Sequence, residues 1–117
     1  MLNLPTQARV YLCATPVDLR KSFDGLSGLV ESVFKSQVLD GHLFLFINRR
    51  RDRIKALWWD RDGMVLWYKR LERGCFEAPR GAADQTHLEL DAVELAMLLG
   101  GVSLASAQRR RRYALAS

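Results

Sequence analysis

The feature that most constrains the fold is a pair of strand-forming segments joined by a short polar turn. Residues 53–59 and 64–71 are rich in aromatic and branched residues, and the sequence Asp-Arg-Asp-Gly at 60–63 separates them. Aspartate favours turn conformations, and Gly63 is expected to supply a positive φ at the exit of the turn. The sequence therefore predicts a central β-hairpin, in which the turn sets the pairing register of the two strands.

Four further segments have the composition of strands. The continuous apolar run at 43–47, Leu-Phe-Leu-Phe-Ile, is too short for a helix and predicts a buried strand. A short apolar run at 10–14 predicts a strand near the N-terminus. Residues 72–79, centred on 75–77, predict another short strand, and residues 87–90 predict a strand at a sheet edge.

Two segments have the periodicity or capping residues of helices. Leu19, Phe23 and Leu26, followed by Val30 and Val33, repeat at steps of four and three, which predicts an amphipathic helix capped by residue 15 or 18 and running to about residue 37. A second helix is predicted to begin after residue 91 and to end at the glycine pair 100–101.

The order strand, helix, antiparallel strands, helix indicates an α+β fold. We expect a mostly antiparallel sheet with a central β-hairpin, one long helix packed on it, and a second, C-terminal helix. At 117 residues the chain has the length of one domain. We place that domain at residues 1–101 and expect the basic tail 102–117, which contains Arg109–Arg112, to be mobile.

The net charge of +5 favours an anionic partner such as nucleic acid, although solubility alone also explains a modest charge. The first residues lack the basic and apolar regions of a signal peptide, and no apolar run is long enough for a membrane span. A cytoplasmic protein without a membrane partner is therefore expected.

The sequence contains few residue patterns that are typical of catalytic or metal-binding sites. Cys13 and Cys75 form no CxxC pair and lie near neither histidine in sequence, so we expect no metal site and no cofactor. Asp60 and Asp62 form a DxD pair, which is a weak signal of a metal-dependent nuclease. Because the pair lies on the predicted hairpin turn, where aspartate is favoured, we interpret both residues as structural. With neither a phosphate-cradling glycine loop nor a nucleophile–base pair apparent, the sequence predicts a protein that is not an enzyme.

Basic residues gather around the predicted hairpin. They lie at its entrance and on its second strand, where pairing would bring like charges together, which costs stability unless an anion or a carboxylate compensates. This pattern indicates a phosphate-binding surface. The predicted nucleic-acid-binding residues are Arg49, Arg50, Arg51, Arg53, Lys55, Lys69 and Arg70.

Three tryptophans are interleaved with these charges. Trp58 and Trp59 are adjacent, so their side chains point to opposite faces of the strand. Together with Trp67 they are candidates for stacking on a base or contacting a partner. A sheet that is covered on both faces, with these side chains buried, explains the same pattern, and both interpretations stay open here.

Three segments resemble a known family. They are DLRKSFDGL at 18–26, the block 43–76 that runs from LFLFINRRRDRIK through LWWD to KRLERGCF, and LAMLLGG at 95–101. Together they resemble TnpB of the IS66 class, an Orf2-like family of insertion-sequence accessory proteins. The resemblance covers residues 2–101 and leaves Arg109–Arg112 outside.

The resemblance implies a role beside a separate transposase that carries out strand transfer, and it implies no defined reaction. Two hypotheses follow. The chain is a non-catalytic accessory protein that binds DNA at the element ends, the transposase, or both. Alternatively, it is an adaptor that binds the transposase without touching DNA. The first predicts arginines that converge on one face, and the second predicts a large exposed apolar patch.

Overall fold

The computed structural model describes residues 7–79 and 84–100, which form five strands and two helices. The strands are β1 (Val10–Cys13), β2 (Leu43–Ile47), β3 (Arg53–Asp60), β4 (Gly63–Arg70) and β5 (His87–Leu90). The helices are α1 (Phe23–Phe34) and α2 (Ala92–Gly100), with a short 3-10 helix at Val38–Asp40. The α+β fold that the sequence predicts is confirmed. The predicted boundary at residue 101 stays a prediction, because the segment 101–117 lies outside the described residues.

The five strands form one sheet in the order β4-β3-β2-β1-β5. Only β1 and β2 run parallel, and α1 forms the crossover between them; all other neighbours are antiparallel. All five residues of β2 are buried, as its continuous apolar run predicts for a central strand covered on both faces. The predicted edge position of 87–90 is also confirmed.

Each face of the sheet carries its own core. On one face α1 packs Leu26, Val30 and Phe34 against strand residues that include Phe44 and Leu57. The opposite face is covered by α2 and by the irregular segment 71–79. Leu98 of α2 and Phe76 of that segment are fully buried there against strand residues that include Leu45, Ile54 and Ala56. Neither helix in the described part of the chain is long and apolar enough to cross a membrane.

The central hairpin is confirmed, with one difference at its turn. The ladder pairs Arg53 with Arg70 at one end and Asp60 with Gly63 at the other, so only two residues, 61 and 62, form the loop. The positive φ lies at Arg61, with a value of 56°, and not at Gly63. The expectation for Gly63 was wrong because the shorter loop places it in the ladder as the first residue of β4.

The first helix is shorter than predicted, spanning Phe23–Phe34 instead of reaching from residue 15 or 18 to about 37. Its N-cap is Ser22. Residues 14–22 instead form an irregular connection with a turn at 19–20, and within it the Val17 amide donates to the Ile47 carbonyl at 2.9 Å. Leu19 fits the helical period although it lies outside the helix, because its side chain is buried in the core from a position in this connection. The helix ends where Lys35 adopts a φ of 54°.

The predicted strand at 75–77 is absent, and the described segment 71–79 is irregular. The Phe76 amide donates to the Arg51 carbonyl at 2.6 Å, and the Phe76 ring fills the core beneath α2. Gly74 has a φ of 73°, which breaks an extended backbone. The start of α2 is as predicted, because Asp91 and Glu94 cap each other's backbone amides at 2.7 and 3.0 Å.

Candidate nucleic-acid interface

The predicted basic residues do not all share one surface. Strand side chains alternate between faces, so Arg53 and Lys55 of β3 and Arg70 of β4 lie on the α1 face, whereas Lys69 lies on the α2 face. There the Lys69 ammonium donates to the carbonyl of Leu99 at 3.3 Å, in the last turn of α2. A cation at this position satisfies a free helix carbonyl and complements the helix dipole.

Lys55 is buried, with 7% of its surface exposed. Its ammonium donates to the carbonyl of Lys21 at 2.8 Å and lies 4.8 Å from the ring centroid of Tyr68. These contacts join β3 and β4 to the residues that lead into α1. Lys55 therefore holds these elements together from inside the protein, and its ammonium group is not exposed for direct contact with a ligand.

Arg53 and Arg70 lie directly opposite each other across the hairpin, and each has a partner. The Arg53 guanidinium donates to the Tyr68 hydroxyl at 2.9 Å, and the Arg70 guanidinium donates to Glu72 at 2.9 Å. The hydrogen bond that Arg70 donates to the Glu72 carboxylate raises the pKa of Arg70 above its ordinary value. Of these two like charges in register, Glu72 compensates that of Arg70, whereas Arg53 contacts a neutral hydroxyl.

The arginine run 49–51 lies in a tight turn between β2 and β3 that the side chain of Asn48 organises. The Asn48 amide oxygen accepts from the backbone amides of Asp52 and Arg53 at 3.1 and 3.0 Å, and its amide nitrogen donates to the Asp52 carboxylate at 2.7 Å. Arg51 has a φ of 62°, and its amide donates to the Asn48 carbonyl at 3.1 Å. The turn is thus fixed by its own hydrogen bonds.

This turn presents Arg49 and Arg50 to solvent. Both are exposed, and no residue of the described ranges 7–79 and 84–100 forms a hydrogen bond or ion pair with either guanidinium. Arg51 is also exposed but borders a different cleft of about 360 Å³, beside Phe76. Because an arginine without a carboxylate offers a complete fork of donors, Arg49 and Arg50 are suited to bind phosphate oxygens.

A cleft of about 500 Å³ lies between this turn and the connection that follows β1. Its lining includes four arginines and two aspartates, so it carries a net positive charge of two. Both aspartates have partners, Asp52 through Asn48 and Asp18 through Arg20. The charged residues that line it are Asp18, Arg20, Arg49, Arg50, Asp52 and Arg53.

The Asp18–Arg20 pair is a feature that sequence reasoning missed. The Arg20 guanidinium donates to both oxygens of Asp18 at 2.6 to 3.0 Å, and the Arg20 backbone amide donates to the same carboxylate at 3.0 Å. Hydrogen bonds from Arg20 lower the pKa of Asp18 to about 2. The Asp-Leu-Arg spacing at 18–20 was visible in the sequence, but the expected helix concealed its role.

The tryptophans lie away from the basic cleft. Trp58 and Trp67 are half-buried on the α2 face, and Trp59 is half-buried on the α1 face, where its indole donates to the Arg61 carbonyl at 3.0 Å. Trp59 lies six positions after Arg53 along β3, which corresponds to about 20 Å. The aromatic residue that does line the cleft is Tyr68, which the sequence analysis did not select.

The remaining candidate chemistry is sparse in the described residues. Cys13 is buried and Cys75 is exposed, and both are free thiols. No group of three or more histidine, cysteine, aspartate or glutamate side chains in these ranges is arranged to hold a metal ion. Asp60 and Asp62 are exposed at the hairpin turn. The arrangement that the described residues present is one for anion binding.

Comparisons with known proteins agree on one family. The family described as IS66 Orf2-like protein matches residues 8–109, a range that reaches past the block expected from the sequence and takes in Arg109. Two proteins of Sinorhizobium fredii, named uncharacterized protein y4hO and uncharacterized protein y4jC, are 34% and 31% identical over 102 residues. Each alignment covers 87% of this chain and 87% or 86% of the relative. No solved structure matches.

Proposed function

We propose that this chain, which belongs to the IS66 Orf2-like family of insertion-sequence accessory proteins, binds the DNA of its element through the arginine turn at residues 49–53. It acts without catalysis of its own, beside the transposase of the same element. The transposase supplies the strand-transfer chemistry, and this chain supplies contacts to the phosphate backbone.

The observation that carries the proposal is the state of Arg49 and Arg50. Their guanidinium groups are exposed, project from a turn fixed by Asn48, and have no carboxylate partner in the described residues. Since a phosphate backbone neutralises such charge and releases its counterions, binding by these residues is favourable and depends on salt. Arg53 lines the same cleft without a carboxylate partner in the described residues and adds to the positive charge there.

The test replaces both free arginines and measures binding to an element-end duplex over a range of salt concentrations. Each lost phosphate contact lowers the slope of log K against log salt by about 0.9, so Arg49→Ala/Arg50→Ala is expected to lower it by about two units. Arg51 is left in place because it borders the other cleft, beside Phe76. The matched control is Arg61→Asn, which removes an exposed arginine at the other end of the hairpin and suits its φ of 56°.

The outcome separates this proposal from its alternative. An unchanged slope in a folded double variant means that the turn does not contact DNA. If that variant also loses binding to the purified transposase, an adaptor whose arginines face an acidic protein surface becomes the better interpretation. Binding in the presence of a chelator is expected to equal binding without it, because the proposal uses no divalent ion; loss on chelation would favour a metal-dependent nuclease.

A further inference from the structure

Tyr68 has an unusual setting on the wall of the basic cleft. It lies on β4 at the edge of the sheet, and 47% of its surface is exposed, which makes it one of the few large aromatic or apolar side chains open to solvent in the described residues. Arg49 and Arg50 line the same cleft. An exposed aromatic ring and two free guanidinium groups therefore border one space of about 500 Å³.

The ring of Tyr68 is held in place from within the protein. Its hydroxyl accepts a hydrogen bond from Arg53 at 2.9 Å, and the buried Lys55 ammonium lies 4.8 Å from its centroid. Lys55 is fixed in turn by the Lys21 carbonyl. Two contacts on different sides thus orient the ring, so little conformational entropy remains to be lost when a flat group stacks on it.

We propose that this cleft binds one unpaired nucleotide of DNA, with its base stacked on Tyr68 and its phosphate held by Arg49 and Arg50. This inference rests on the proposed function and specifies the ligand of the same site. The cleft volume lies within the range of small-molecule sites, so a single nucleotide is of suitable size. Base stacking on aromatic rings and arginine contacts to the backbone are the two ordinary means of binding single strands.

The geometry favours an unpaired nucleotide over an intact duplex. Within a duplex the faces of the bases are covered by their neighbours, so a tyrosine ring can stack only on a base that has left the helix or lies at a frayed end. The acidic groups of the cleft do not oppose a phosphate strongly, because Arg20 balances the charge of Asp18 and the lining arginines at 49, 50 and 53 outnumber the remaining carboxylate, Asp52. The same cleft therefore accepts a flat base and an anion together.

The experiment compares the dissociation constants of three fluorescent probes for the full chain. One is a blunt duplex, one carries a single-stranded thymidine overhang, and one carries an overhang of abasic residues. We expect the thymidine overhang to bind roughly 5- to 150-fold more tightly than the abasic one, the range for one stacked base. Tyr68→Phe keeps the ring and is expected to keep the preference for the thymidine overhang over the abasic one, whereas Tyr68→Leu is expected to lose that preference.

The outcomes distinguish failure of the proposed stacking site from failure of DNA binding by the arginine turn. Equal affinity of the wild-type chain for the thymidine and abasic overhangs overturns the stacking site, even if Tyr68→Leu does not fold. A Tyr68→Leu variant that keeps the preference also overturns it. If Arg49→Ala/Arg50→Ala weakens all three probes but no overhang preference exists, the proposed function survives without the inference. Tighter binding of a uridine RNA overhang than of the DNA overhang overturns the assignment to DNA.

Discussion

The two ends of the β3–β4 hairpin use the same residue types and hold them differently. At the tip, Arg61 sits between Asp60 and Asp62, so its charge is balanced along the chain, and only a two-residue loop is required. At the base, a run of three arginines is held in a turn by the side chain of Asn48. Excess positive charge and a turn fixed by a side chain therefore coincide at the base and not at the tip, and the base is where we propose the phosphate contacts.

The largest effect is expected from breaking the support of the base. Asn48→Ala removes three side-chain hydrogen bonds and leaves two backbone amides without an acceptor. We expect the free energy of unfolding to fall by roughly 1–3 kcal/mol and DNA binding to weaken, because Arg49 and Arg50 lose their fixed positions. Chemical denaturation and DNA titration measure both. A loss no greater than that of Arg61→Asn at the tip would show that the two ends do not differ in this way.

A smaller effect is expected at the ion pair of Asp18 and Arg20, on the other side of the cleft. The pKa of Asp18 is lowered to about 2 mainly by its hydrogen bonds from Arg20, with only a minor contribution from Lys21. Arg20→Ala is therefore expected to return the titration of Asp18 towards 3.8, whereas Lys21→Ala shifts it little. Titration of the Asp18 carboxyl carbon by NMR measures both, and equal shifts in the two variants would contradict the assigned cause.

The sign of the pH effect on stability follows from the same pair. The folded-state pKa of Asp18 is lower than its ordinary value of 3.8, so the pair stabilises the protein fully above pH 3.8. That stabilisation is lost as the pH falls through about 2. The wild-type chain should thus lose more stability than Arg20→Ala over this interval, by a small amount because the pair is exposed to solvent.

The smallest effect is expected at the tip. Asp60 and Asp62 are exposed, and the Asp62 amide bonds the Asp60 carbonyl through the backbone at 2.6 Å. Asp60→Asn and Asp62→Asn should each change the free energy of unfolding by less than about 0.5 kcal/mol and leave transposition intact, since asparagine suits the same turn. Abolished transposition in both variants, with the fold preserved, would instead indicate that the two carboxylates act chemically.

The hairpin and the buried strand β2 could be predicted because each depends on local sequence. Strand alternation, a polar turn and a continuous apolar run need no knowledge of distant contacts. The helix start was different, because Leu19 continues an apolar period from outside the helix. The Val17 amide donates to the Ile47 carbonyl on β2, and this long-range contact holds residues 14–22 in a non-helical path.

The candidate site was predictable in part. The arginine run at 49–51 was identified from its charge, but the roles of Asn48 and Tyr68 depend on how the turn and the sheet edge meet. The burial of Lys55 depends on the carbonyl of Lys21, which lies above β3 only because α1 begins at Phe23. A wrong helix boundary in the sequence analysis therefore concealed both the Asp18–Arg20 pair and the position of Lys55.

The most direct test of the difference between the two ends is an NMR titration of the chain with an element-end duplex, following backbone amides and arginine Nε–H groups. We expect the largest DNA-induced chemical-shift changes at residues 48–53. The changes at the Nε–H groups of Arg49 and Arg50 should become smaller as the salt concentration rises. The signals of residues 60–63, including Arg61, should not change. Shifts concentrated at 60–63, or no shifts at 48–53 on saturation with DNA, would contradict the account.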